Sequence, residues 1–437
     1  MKIRSITYFC NPKYPLDEKV IQKAAKFLSE AKSAYQAAGY EVQTGRLATP
    51  PFPELLGDGQ IGKLPELVTQ FEEIAQRHNI GYVSLGPALP EMPRSYEVIP
   101  EGIFVSKNIF FGGVMADKTR GLNLSAVRAC AEVIVKCATI EPNGFANLQF
   151  AALANVDAGT PFLPAAYYDA DADEPAFAIA TESADLAVEA FENAKTLDDG
   201  RKTLISEVTR HGQAISRVSQ SLRKASNLQP STLAPGVHLP RAQVPGSAGV
   251  TTPQLLKFLG IDFSLAPFPD GAHSLGNAVE KMGVPKIGMH GSLAAAAILT
   301  EAVDRADFPH TGFSGFMQPV LEDSILAKRA AEGILTIKDV LLYSAVCGTG
   351  LDTIPLPGDT TAEQIAPLLL DLCALALRLD KPLTARLMPI PGKKAGDETN
   401  FDFAFFAPSR VMALESAELN SPLNGQEVLQ IKKRSIV

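Results

Sequence analysis

The chain has 437 residues, 46% of them hydrophobic and 20% charged, an ordinary globular balance with ample material for a core. Its formal net charge of −8 argues against a general nucleic-acid binder, because neutralising phosphates takes a basic face, although a local cationic pocket for an anionic metabolite stays open. No segment approaches the ~20 apolar residues that cross a bilayer, and the first apolar run soon reaches Asn11-Pro12, too short for a signal sequence.

The five cysteines, Cys10, Cys130, Cys137, Cys347 and Cys373, show no CxxC spacing, so neither a disulfide framework nor a zinc ribbon is expected. Reduced thiols fit a cytoplasmic protein.

The first 90 residues alternate between strand and helix patterns. "IRSITYF" reads as a strand and "LDEKVIQKAAKFLSEAKSAYQAAG" as an amphipathic helix closed by Gly39. "YEVQTGRLA" is a second strand, "LPELVTQFEEIAQRHN" a second helix, and "IGYVSLG" a buried third strand. Such repeats favour parallel pairing with right-handed crossovers. A helix is expected from about Leu124 to Thr139, then the charge-poor run "PNGFANLQFAALANVDAGTPFLPAAYYD", then helix from Leu186 to Lys224 with a break near Leu197. Residues 227–253 carry five prolines and little periodicity, as expected of a long loop inside one α/β domain of residues 1–437. Residues 415–437 read as a C-terminal extension. The second half repeats a layout of apolar strand, Pro/Gly/Asp-rich loop and helix, in "GIDFSLAPFPD", "SGFMQPVLED" and "PLTARLMPIPGKKAGD". Loops that follow strand ends build the sites of parallel α/β folds.

Several residues in those loops carry chemistry. Cys347 follows the helical "TIKDVLLYSAV", with Gly348 where a left-handed helix-ending glycine belongs. The negative end of the helix dipole disfavours a thiolate, so Cys347 reads as a buried thiol rather than a nucleophile. A neutral thiol relaying a hydrogen atom escapes that objection. Asp352 and Asp359 have the oxygen chemistry to share a divalent cation. Asp359, however, precedes a Thr-x-x-Glu capping pattern at Thr360–Glu363, and Asp352 has no such local role. Glu322 and Asp323 open a helix, as first-turn acids do, and are equally placed as general base or metal ligand. Arg386, inside the apolar "LTARLMPIP", needs a partner: an internal salt bridge to Asp352 or Glu322, or a bound anion. Lys393 and Arg410 are further anion contacts. His273, beside Asp270-Gly271 at a helix start, is a candidate base or substrate contact, and His290 also precedes a helix. No HExxH, GxSxG, P-loop or dinucleotide-binding pattern is present.

The stretches "GFANLQFAALANVDAGTPFLPAAYYD", "GIDFSLAPFPDGAHSLGNAVE", "TGFSGFMQPVLEDSILAKRA", "LLYSAVCGTGLDTIPLPGDTT" and "DKPLTARLMPIPGKKAGDETNFDFAFFAPSRVMAL" resemble the domain of unknown function 711 family, and the likeness runs from about Ile3 to Leu414. The resemblance implies a closed α/β barrel of about ten strands with surrounding helices, similar to pyruvate formate-lyase-like glycyl radical enzymes. It brings no established reaction and no catalytic residues. Radical catalysis of that kind needs a C-terminal Arg-Val-x-Gly-aromatic loop, and the nearest approach here is Arg410-Val411-Met412-Ala413-Leu414. A methyl at the Ala413 α-carbon disfavours a planar backbone radical, which excludes glycyl radical chemistry.

The expectation from sequence is an enzyme acting on a small polar, anionic metabolite. Cys347, Glu322, Asp323 and Asp352 form the catalytic set, and Arg386, Lys393, Arg410 and His273 hold the ligand. The cofactor is open, a divalent cation being one choice, and neither nucleic acid nor membrane is expected as a partner. The alternatives are a metabolite-binding or regulatory protein without turnover, and a homo-oligomeric scaffold.

Overall fold

A computed structural model describes residues 1–227 and 255–434. The proline-rich stretch 227–253 lies outside the described residues except for Asn227.

Among the described residues, eleven strands form one mixed sheet. They are β1 (Lys2–Phe9), β2 (Val42–Ala48), β3 (Tyr82–Ala88), β4 (Ile109–Asp117), β5 (Gly121–Asn123), β6 (Phe150–Ala154), β7 (Ala176–Glu182), β8 (Lys257–Asp262), β9 (Gly350–Pro357), β10 (Leu383–Ile390) and β11 (Val428–Leu429). Their order is β8-β7-β1-β2-β3-β4-β6-β10-β9, with β5 and β11 attached beside β4. Strands β1, β2, β3, β4 and β6 run parallel, as the strand–helix alternation predicts. β7 is antiparallel to β1, and β10 is antiparallel to β6.

Crossover helices cover one face of the sheet. Glu18–Ala37 buries Ile21, Ala24, Phe27, Leu28, Ala31 and Tyr35, a stripe of helical period, and ends at Gly39 with φ 89°. Leu64–Arg77 and Leu124–Ala138 bury similar stripes, and Ala362–Leu379 packs against the latter. No helix among the described residues is long and apolar enough to cross a membrane.

The opposite face is concave. Phe9, Ala48, Phe110 and Ala178 point into it and pack on Leu163, Ala166 and Tyr168. Those three belong to an irregular segment laid across the strands. Its carbonyls take hydrogen bonds from inward hydroxyls, Thr7 Oγ1 to Pro161 O (3.1 Å) and Ser84 Oγ to Ala166 O (2.6 Å). Backbone polar groups away from water need such partners, which explains hydroxyl residues inside otherwise apolar strands.

The expected closed barrel is not found: the sheet has two edges, β8 and β9, that no ladder joins among the described residues. The stretch "SGFMQPVLED", expected as a strand, is irregular. Residues 310–319 meet the edges through isolated bridges, Ile261–His310, Ser264–Gly315 and Pro319–Asp352, and through the Asp262 carboxylate, which accepts from Phe313 N (2.9 Å) and Ser314 N (3.0 Å). The reason lies in the residues. Pro309 and Pro319 have no N–H to donate, and Gly312, Ser314 and Gly315 take φ of 65°, 41° and 99°, so the backbone cannot stay extended.

Candidate functional site

Arg386 stands mid-way along β10 and is only 5% exposed. Its Nε donates to Asp352 Oδ1 at 2.6 Å and its Nη2 to Glu322 Oε1 at 2.8 Å. The other oxygen of Glu322 accepts from Arg4 Nη2 at 2.5 Å. Arg4 is on β1, which four strands separate from β10 in the sheet. At the usual spacing a flat sheet would hold these strands about 24 Å apart, so the shared carboxylate reports strong curling.

Two irregularities aim the arginines. The β1–β7 register shifts between Ile3 and Ser5, at Arg4. The β10–β9 register shifts between Ala385 and Leu387, setting Arg386 against Asp352 and Thr353, the latter at φ 45°. Bulges redirect side chains in this way and are frequent beside sites.

A third arginine faces the cluster. Arg46 on β2 donates from Nε to Thr44 Oγ1 (2.9 Å), and its guanidinium carbon lies 5.8 Å from the Tyr82 ring centre. Among the described residues it has no carboxylate partner. Burial, with the like charges of Arg4 and Arg386, lowers its pKa to about 9 against the weaker opposing pull of Tyr82 and Glu322. Glu182, at the end of β7, accepts from Gln43 Nε2 at 2.8 Å. Among the described residues, three atoms of this group are buried without a partner: Arg4 Nη1, Asp352 Oδ2 and Glu182 Oε1.

The two central carboxyls differ. Burial acts to raise Glu322, but the charges of Arg4 and Arg386 outweigh it and hold the group below the ordinary glutamate range. Burial raises Asp352 above its ordinary value despite Arg386, and the Glu322 charge adds to the rise. Neighbouring acids driven apart in this manner are suited to different protonation states at one pH.

Of the residues singled out from sequence, Arg386, Glu322 and Asp352 come together, and the salt-bridge reading of Arg386 holds with both carboxylates. Asp323 points away from Glu322. Its oxygens accept from Ser274 Oγ (2.6 Å), Leu275 N (2.6 Å), Gly276 N (3.1 Å), Ile325 N (2.9 Å) and Leu326 N (3.0 Å), binding the starts of two helices. Cys347 is buried, and its sulfur accepts from Gly350 N (3.3 Å) and Gln318 Nε2 (3.6 Å). The helix before it ends at Tyr343, and the left-handed glycine expected at 348 is at Gly350 instead, φ 103°. Lys381 Nζ donates to the Ser344 carbonyl (2.9 Å) and to that of Cys347, where a cation suits a helix end.

His273 is half-buried, its Nδ1 held by both Asp270 oxygens (2.9 and 3.0 Å) and its ring edge-on to Phe268. Lys393 is half-exposed in a loop, where its carbonyl accepts from Gly358 N at 2.9 Å. Arg410 donates to Gly396 O at 2.9 Å on the outer surface. None of the contacts of these three reaches the cluster. The expected cap at Thr360–Glu363 sits one residue further on, where Gln364 Oε1 accepts from Thr361 N. Among the described residues no three His, Cys, Asp or Glu side chains are grouped to hold a metal.

Arg4, Arg46, Gln43 and Glu182 were not foreseen. The signal that exposed Arg386, a charge inside a strand, is also present in "KIRSITYF" and "VQTGRLA", but near a strand end such a charge reads as solvated.

Residues 1–402 match the family described as Uncharacterised ACR (DUF711). The chain belongs to this family. Its relatives include a UPF0210 protein of Pyrobaculum aerophilum, 31% identical over 376 residues, which span 82% of this chain and 76% of that one. The UPF0210 protein of Methanopyrus kandleri is 28% identical across 87% of this chain and 82% of its own. That of Oenococcus oeni is 24% identical across 88% and 82%. The family thus joins archaeal and bacterial proteins whose names state membership and no reaction.

Proposed function

We propose that the concave face binds a small polar, anionic metabolite, held by Arg4, Arg46 and Arg386, with Asp352 as the group that exchanges a proton with it. The observation that carries this reading is Arg46, a half-buried guanidinium beside two others with no carboxylate partner among the described residues. Withdrawing a charge from water without giving it a partner is unfavourable, and an anion arriving there offsets that cost. Asp352 supports the second half, having one oxygen on Arg386 and the other without a partner.

Binding without turnover is the second reading. Both Glu322 oxygens are engaged by arginines, so Asp352 Oδ2 is the single unengaged oxygen of the central acid pair, and catalysis that needs two converging acid/base groups lacks one.

Native mass spectrometry of freshly purified protein, beside calorimetry with a panel of small carboxylates and phosphates, tests the proposal. Wild type is expected to bind at least one anion, and Arg46→Met to bind it at least tenfold more weakly at unchanged fold. Equal binding by both proteins, or none by wild type, would remove the proposal. Turnover of the bound compound by wild type and its loss in Asp352→Asn would decide for the enzyme.

A further inference from the structure

The partnerless atoms around Arg4 are of two kinds. Arg4 Nη1 is a donor, whereas Asp352 Oδ2 and Glu182 Oε1 are acceptors. Both carboxylates are shut off from solvent, Asp352 at 0% and Glu182 at 2% exposure, and both act on the Arg4 charge together with Glu322. Their remaining oxygens are taken, by Arg386 and by Gln43. Buried acceptors without donors are rare and costly. A site for a bare anion needs donors alone, and inward-facing carboxylate oxygens would repel phosphate or sulfate.

We infer that the ligand is a monovalent carboxylic acid bearing hydroxyl groups, its carboxylate meeting Arg4 and Arg46 and its hydroxyls donating to Asp352 and Glu182. This rests on the anion-binding reading above and names the chemical class. The local charges agree with it. The three guanidinium groups face three carboxylates, Glu322, Glu182 and Asp352, so the charges balance when all are ionised, and the cluster tolerates one added negative charge better than two. Glu182 becomes the specificity-determining residue, since it meets a hydroxyl and not the carboxylate.

Propionate, lactate and glycerate form a series of equal charge with no, one and two hydroxyls, and inorganic phosphate completes the panel. Titration calorimetry on the full chain is expected to give dissociation constants that fall by about tenfold for each added hydroxyl, because sites built around a hydroxyl reject analogues that lack it. In Glu182→Gln, glycerate is expected to weaken by about tenfold while propionate is unchanged. A purely structural role for Glu182 would shift all three acids together, and thermal melting shows whether the variant folds. Equal binding of the three acids, or phosphate binding tighter than any of them, overturns the hydroxyl assignment and leaves the anion site standing. No binding of any of the four probes overturns both.

Discussion

Arg386 and Arg410 look alike in the sequence, each in or after an apolar run that ends in a loop, and the structure gives them different work. Arg386 is enclosed on the concave face, joined to Asp352 and Glu322. The Arg410 side chain is 49% exposed, with Nη2 3.7 Å from a Glu398 that is itself in solvent. It borders an outer groove of about 460 Å³ with Thr336, Lys338, Asp371 and Glu415. An exposed pair contributes at most about 1 kcal/mol, whereas removing one partner of a buried pair costs about 3–5 kcal/mol. Residue type proposes a site, and burial decides how much free energy it controls.

The largest effect is expected at the buried end of this comparison. Arg386→Met leaves Asp352 with no cation in contact and Glu322 with Arg4 alone, and should lower stability by about 3–5 kcal/mol in urea denaturation. A loss below about 1 kcal/mol would show that water already reaches the cluster. Next comes Asp323→Ala. It strips the caps from two helices and should cost about 2–3 kcal/mol, with anion affinity unchanged in the folded protein. Weaker binding at full folding would mean that Asp323 reports to the concave face after all. The smallest is Arg410→Ala, expected to change stability by less than about 0.5 kcal/mol and anion affinity not at all. A larger change in either would erase the distinction between the two regions.

Much of the fold was legible because the relevant signals are local. The alternation of "IRSITYF" with the helix before Gly39 anticipates β1, its crossover and the parallel neighbour β2. The sheet's lack of closure was not legible. "SGFMQPVLED" is as apolar as a strand, and the φ values that break it belong to Gly312, Ser314 and Gly315, whose conformations depend on packing. At the site, Arg386 was found because a charge between Ala385 and Leu387 contradicts its surroundings. Arg4 was missed because residue spacing says nothing about a register shift in the neighbouring strand pair. For Asp323 the sequence leaves a helix-start acid and a general base or metal ligand equally open, and its side chain caps the helix at Ile325 and Leu326.

The Arg4–Glu322 contact spans 318 positions of chain. Joining ends that far apart costs about 5 kcal/mol of loop-closure entropy, more than one ion pair returns, so the sheet must already be curled before the contact forms. During synthesis, at about 5–20 residues per second, roughly 15 to 60 seconds pass between the appearance of Arg4 and that of Glu322. Throughout that interval β1 and β2 present Arg4 and Arg46 without the carboxylates of Glu322 and Asp352, which are still unmade. Until those two carboxylates emerge, Arg4 and Arg46 share the cluster with Glu182 alone, so the last stage of its maturation is electrostatic: the neutralisation of charges that the first strands have carried since leaving the ribosome.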